Sequence, residues 1–363
     1  MIKRPFLIVV LSVFSISLVA QVNDSVIDSL VARKSITEKV SLKFSTYNAA
    51  EWFEVAGSNG NPGTEIRPNS AIINAIGFNY RFASFSYKFL ISVLPGNDDD
   101  REKGETKSNG LHFALNPGQW TTDLGWSKTQ GYYLHNSIDF NPNWTKGDQY
   151  VQFPNLHSQI YRLRLGRVLN PEYSINAVTL QTENQVISQG SFLPGLRLTY
   201  YSVDDKSPLA GNVSSSQKSN QFEGIISFGY TYTLVLGNGF YTNLDLRPGL
   251  GFLQTHLLTR FARTDNVETN STHFVSGFDA NVQLGFDSPK FFSGIRVAYD
   301  HYEHAQGNTD AARITNERLR WEFFLGIRLK APENLKRKVD AAEAQLLKEM
   351  IKRKQRMTEK QKG

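Results

Sequence analysis

The stretch RLRWEFFLGIRL, Arg318 to Leu329, sorts its side chains into two sets. Leu319, Trp321, Phe323, Leu325, Ile327 and Leu329 occupy one set of alternate positions, and Arg318, Arg320, Glu322, Phe324, Gly326 and Arg328 the other. A helix would mix these sets, whereas a strand, whose side chains point alternately to opposite faces, keeps them apart. The same alternation runs back through the chain. Phe274, Phe278, Ala280, Val282, Leu284 and Phe286 alternate with Gly277, Asp279, Asn281, Gln283 and Gly285. Leu244, Leu246, Leu250 and Phe252 alternate with Asn243, Asp245, Arg247 and Gly249, and Tyr161, Leu163 and Leu165 with Arg162, Arg164 and Gly166.

Strands of a soluble sandwich also alternate, but they usually run about 5–6 residues. These runs approach the roughly 9–11 residues that a tilted strand needs to cross a bilayer. Their polar face carries Arg, Asp and Gly, which suits a lumen, and their apolar face carries aromatics near the strand ends, as at membrane interfaces. The expected fold is all-β, an antiparallel transmembrane β-barrel over residues 40–330. Thirteen candidate strands start near residues 40, 70, 84, 109, 119, 158, 172, 192, 222, 240, 272, 290 and 316. Barrels of this kind have even strand numbers, so twelve strands are expected, with fourteen as the alternative. The irregular region is 128–192, where short and long connections cease to alternate.

The chain of 363 residues has no cysteine, which excludes disulfides, thiolate metal sites and cysteine nucleophiles. Its formal charge of +6 is concentrated at the ends, because residues 331–363 hold ten basic and five acidic residues. A nucleic-acid partner is therefore not expected. Lys3 and Arg4 precede an apolar run from Pro5 to Ala20, the pattern of a cleavable signal peptide over residues 1–20. Export to the outer membrane of a Gram-negative cell follows, with membrane lipid around the barrel and residues 21–39 as a periplasmic segment. In the tail, 331–363, Leu335, Val339, Ala342, Leu346 and Met350 recur at helical spacing. This predicts a basic periplasmic amphipathic helix that orders fully only against a partner or a membrane surface. Residues 332–360 would offer that surface to a periplasmic protein or the cell wall.

Several stretches carry a resemblance. They are RPNS at Arg67–Ser70, GYYL at Gly131–Leu134, LQTENQVISQGSFLPG at Leu180–Gly195, and GYTYTLVLGNGFYTNLDLRPGLG at Gly229–Gly251. Together they resemble the domain-of-unknown-function family numbered 4421, found in outer-membrane proteins of Bacteroidota. The resemblance implies an outer-membrane barrel and supplies no activity.

Candidate chemistry is sparse. His301 and His304 would fall on opposite faces of a strand, which is wrong for chelation, and neither a metal nor a cofactor is expected. Ser276, His256 and His273 could serve a lipid hydrolase or deacylase if adjacent strands aligned them. A lumenal polar cluster is expected from Arg162, Arg164, Gln181, Glu183, Gln185, Arg197, Arg247, Asp279, Arg296, Arg318 and Arg320. Gln181, Glu183 and Gln185 would share one face of a strand. Rings of Arg can select anions, whereas paired Arg and Asp fill a small barrel. The leading expectation is a non-enzymatic structural or assembly component with a charged, filled lumen. The alternatives are a narrow anion-preferring pore and the hydrolase.

Overall fold

Twelve antiparallel strands close on themselves in the computed structural model, which describes residues 32–48, 53–55, 63–145, 147–209, 215–305 and 313–345. They are β1 (Lys39–Tyr47), β2 (Ile73–Tyr80), β3 (Ala83–Leu90), β4 (Lys107–Leu115), β5 (Trp120–Leu134) and β6 (Gln152–Arg167). β7 (Gln189–Asp205), β8 (Ser215–Gly237), β9 (Phe240–Phe261), β10 (Val267–Asp287), β11 (Phe291–Ala305) and β12 (Arg313–Lys330) complete the ring. Each strand pairs with the next in sequence, and β12 returns to β1 in register from Glu322↔Tyr47 to Lys330↔Lys39. Closure removes the unpaired edges that an open sheet would expose. The expected signal segment, residues 1–20, lies outside the described residues.

The apolar face of each strand points outward. Ile226, Phe274 and Leu319 are 66%, 65% and 63% exposed, while Asn243 and Gln283 on the inner face are 2% and 1% exposed. Such an inverted distribution is stable only where lipid replaces water outside. On β10 the outer apolar run extends from Phe274 to Phe286, roughly 40 Å of strand. At a tilt of about 40° this is near the ~25 Å apolar band of a membrane barrel. Aromatic pairs mark both ends of the run. Phe222 and Phe252 lie 5.9 Å apart at one level, and Phe240 and Phe286 4.9 Å apart at the other.

Lys39 and Lys330 define the terminal end of the barrel. Four of its turns are short, at residues 81–82, 116–119, 238–239 and 288–290. The far end carries the connections 48–72, 91–106 and 135–151, and part of the first forms a hairpin, Phe53–Val55 with Thr64–Arg67, that meets the end of β5. A bulge between Gln130 and Tyr132 bends β5 there. Gly131 sits in it at φ +87, where a Cβ would lie 2.0 Å from the Glu105 carbonyl oxygen, so only glycine fits.

The strand expected near residue 172 does not form, and this is why twelve is the right number. Residues Ile175–Thr179 make a single helical turn, α1, capped by Ser174, whose Oγ accepts the Ala177 N–H at 3.0 Å. Gln181 then adopts φ +54, outside the strand region.

The tail is helical as expected, but it docks within the chain. Its described helix, residues 333–345, packs on the barrel's own rim. Leu335 and Val339 rest on Val40, Tyr80 and Ala331. Arg81, in the β2–β3 turn, donates to Glu343 at 2.6 Å and pairs with Asp340, and Lys336 reaches Glu38 at 2.6 Å. The periodicity of the tail was legible, but its docking partner was not, because Tyr80 and Arg81 meet it only once the barrel has closed.

Candidate functional site: the lumen and its plug

The β6–β7 connection, residues 168–188, folds back over the terminal mouth. Its own small core joins Val168, Tyr173, Ile175 and Val178 to Leu193 of β7. Tyr173 bonds Thr231 at 2.9 Å and accepts from Asn243 at 3.1 Å, which nails the segment to β8 and β9. The carbonyls at the end of α1 have no intrahelical partners, and the barrel wall supplies them. Val178 O accepts from Arg296 at 3.1 Å and Gln283 at 3.3 Å. Leu180 O accepts from Asn79 at 2.9 Å, and Gln181 O from Arg328 at 2.7 Å. Thr182 donates its hydroxyl to the Arg81 carbonyl at 2.5 Å. A short strand at Glu183–Gln185 pairs with Arg33–Ser35, so the N-terminal segment covers the plug from outside the barrel.

Gln181, Glu183 and Gln185 therefore do not share a strand face in the lumen. Gln181 is 1% exposed and wedged at the mouth. Glu183 accepts from Ser174 at 2.7 Å, and Gln185 donates to the Ala32 carbonyl at 3.0 Å. The polar density that marked this stretch serves the internal bonding of the plug.

Beyond the plug the lumen is filled by charge. Lys43 and Arg296 grip Glu322 at 3.0 and 3.1 Å, with Ser45 donating to the same carboxylate at 2.9 Å. Arg247 pairs with Asp245 at 2.7 Å, and Arg320 with Asp300 at 2.5 Å. Arg197 lies between Asp279 at 2.8 Å and Glu223 at 3.3 Å, with its guanidinium 4.4 Å from the Tyr302 ring centroid. Arg162, Arg164 and Arg318 line a cavity of about 100 Å³ beside Arg197. Arg162, Arg164, Arg197, Arg247, Asp279, Arg296, Arg318 and Arg320 thus share the inner face. Asn79 and Tyr173, which hold the plug together with Arg328, were not singled out from sequence. Arg328 lay on a recognised polar face, but nothing local marked what it would bind.

The residues proposed for hydrolysis are not brought together. Ser276 faces Leu250 across the β9–β10 ladder, and His256 lies six positions farther along β9, roughly 20 Å away. His273 is three positions from Ser276 on the same strand and so points to the opposite face. Positions 301 and 304 likewise fall on opposite faces of β11.

These features define a class: a closed twelve-stranded β-barrel with an apolar exterior, a charge-filled lumen and a plug at its terminal mouth. Within that class, the chain belongs to the family described as domain of unknown function DUF4421, whose profile matches residues 28–328. No curated protein matches it. Among solved structures it is similar to the beta domain of the Bordetella autotransporter BrkA, with 14% identity, 81% of this chain and 100% of that one covered, and a TM-score of 0.37. It is similar to the outer membrane protease OmpT from Escherichia coli at 9% identity, covering 82% and 98% of the two chains, TM-score 0.37. Ail, the attachment invasion locus protein of Yersinia pestis, shows 12% identity over 58% and 99%, TM-score 0.24. These likenesses are weak, and the fold stands on the strand pairing itself.

Proposed function

We propose that the protein is an outer-membrane barrel of a Gram-negative cell, exported by residues 1–20, that acts as a closed structural or assembly component. The outward apolar band and its two aromatic levels support membrane insertion. The end carrying both termini, the plug and the docked helix would then face the periplasm. The observation that carries the closed reading is the plug, tied to five wall residues through Val178, Leu180, Gln181 and Thr182. A porin keeps an open polar channel, whereas here backbone and paired side chains occupy it. Separation of Ser276 from His256 and His273 weighs against the hydrolase reading. Residues beyond the docked helix, 346–363, hold seven basic and two acidic side chains and would reach an anionic periplasmic or cell-wall partner.

The test is twofold. Purified full-length protein in detergent should shift its gel mobility on boiling, as membrane barrels do, and should show negligible steady conductance in planar bilayers. Solubility without detergent would sink the membrane reading. A large steady conductance would sink the closed one and favour a pore.

A further inference from the structure

Three lumenal arginines lack a carboxylate in contact. Arg197, Arg247, Arg296, Arg320 and Arg328 each form an ion pair, but Arg162 and Arg164 on β6 and Arg318 on β12 form none among the described residues. The Arg162 Nε is buried without a hydrogen-bond partner. Arg162 also stands in the positive field of Arg164, Arg197, Arg318 and Arg320. Like charges gathered behind a low-dielectric wall repel strongly, and a guanidinium cannot shed its proton to relieve the strain. The carboxylates nearby are already engaged. Glu223 is held by Arg197 at 3.3 Å, Asp300 by Arg320 at 2.5 Å, and Asp123 by His112 at 2.5 Å.

We infer that this chamber binds a single phosphate group. The cavity of about 100 Å³ has room for a tetrahedral oxyanion. Arginine forks match phosphate oxygens two at a time, and three of them converge here. Thr199, Tyr201 and Gln221 line the same cavity and add neutral hydroxyl and amide groups, and its two carboxylates, Glu223 and Asp300, are those held by Arg197 and Arg320. The Lys43–Glu322–Arg296 layer and the plug separate the chamber from the terminal mouth, so the ligand enters from the far end. Only this direction of entry rests on the closed reading above. Conductance would overturn the plug and leave the site, whereas indifference to phosphate would overturn the site and leave the plug.

The experiment uses full-length protein in detergent, with inorganic phosphate and glycerol phosphate as separate probes against chloride at equal ionic strength. Phosphate should raise the thermal unfolding midpoint of the wild type and bind measurably by calorimetry. Arg162→Gln and Arg318→Gln should each weaken that binding about tenfold or more, the loss of a charge-assisted contact. Without phosphate both variants should be at least as heat-stable as the wild type, because repulsion is relieved. Binding of phosphate alone assigns a free anion, and binding of both probes assigns a phosphate ester headgroup. A wild-type midpoint that rises no more in either probe than in chloride overturns the inference, whether or not the variants fold. So does undiminished phosphate binding in both variants.

Discussion

The guanidinium of Arg328 donates to the carbonyl of Gln181 at 2.7 Å, across 147 positions of sequence. The Arg328 side chain has no exposure to solvent, and it also pairs with Asp287 and lies 4.9 Å over the Phe292 ring. One cation thus joins the last barrel strand, the β10–β11 turn and the plug. A buried charge is tolerable only when it is paired and hydrogen-bonded in this way.

Replacing Arg328 by Met should therefore cost about 3–5 kcal/mol, because Asp287 and the Gln181 carbonyl are left buried without a partner. Urea unfolding of the refolded barrel, followed by tryptophan fluorescence, reads this directly. A loss under about 1 kcal/mol, the level of an exposed pair, would show that the plug is not held through this residue.

Removing the plug should open the barrel only partly. With residues 172–187 replaced by a short Gly-Ser link, the Lys43–Glu322–Arg296 layer still narrows the lumen. Small conductances should appear that the wild type lacks. Their reversal potential in a salt gradient should favour anions, since the unpaired Arg162, Arg164 and Arg318 lie along the path. A cation preference would contradict this picture of the lumen.

The docked helix should be removable without loss of the barrel. Asp340 and Glu343 are 49% and 44% exposed, so each pair with Arg81 is worth no more than about 1 kcal/mol. Combined Asp340→Asn and Glu343→Gln should increase proteolysis of the tail, and high salt should do the same to the wild type. A chain ending at Lys330 should still give a heat-modifiable barrel in the outer membrane. Failure of that truncation to insert would make the helix part of barrel assembly.

A hydrogen bond to Glu38 holds the Lys336 ammonium above the usual lysine range. A raised folded value means that this contact helps docking at all pH values below the ordinary lysine range. Its help is lost as pH rises through the folded value. Tail proteolysis should therefore stay constant across neutral pH and rise in strongly alkaline buffer, and Lys336→Met should abolish that alkaline rise. An equal rise in the variant would assign it to other groups.

The barrel wall was legible because period two survives burial: each of Leu319, Trp321 and Phe323 meets lipid, and each of Arg318, Arg320 and Glu322 meets the lumen. The plug was not. The stretch Gln181–Gln185 has the polar alternation of a lumenal strand, yet Ser174 starts a helical turn just before it and Gln181 breaks the extended chain. Capping and a positive φ are local features that a two-residue period overlooks. Alternation grouped the candidate cations, but which of them would be paired depended on cross-strand register. Asp279 meets Arg197 only because β7 and β10, with two strands between them, both turn these side chains into the lumen.

Arg81 ties the docked helix to the plug by its two ends. Its side chain holds Asp340 and Glu343, while its carbonyl receives the Thr182 hydroxyl. Docking of the tail and seating of the lid over the mouth thus share one residue, beside the covalent link of the tail to the last strand at Lys330. Undocking the helix would therefore free the Arg81 side chain while its carbonyl still holds Thr182, so the latch can loosen from beneath without the lid leaving the mouth.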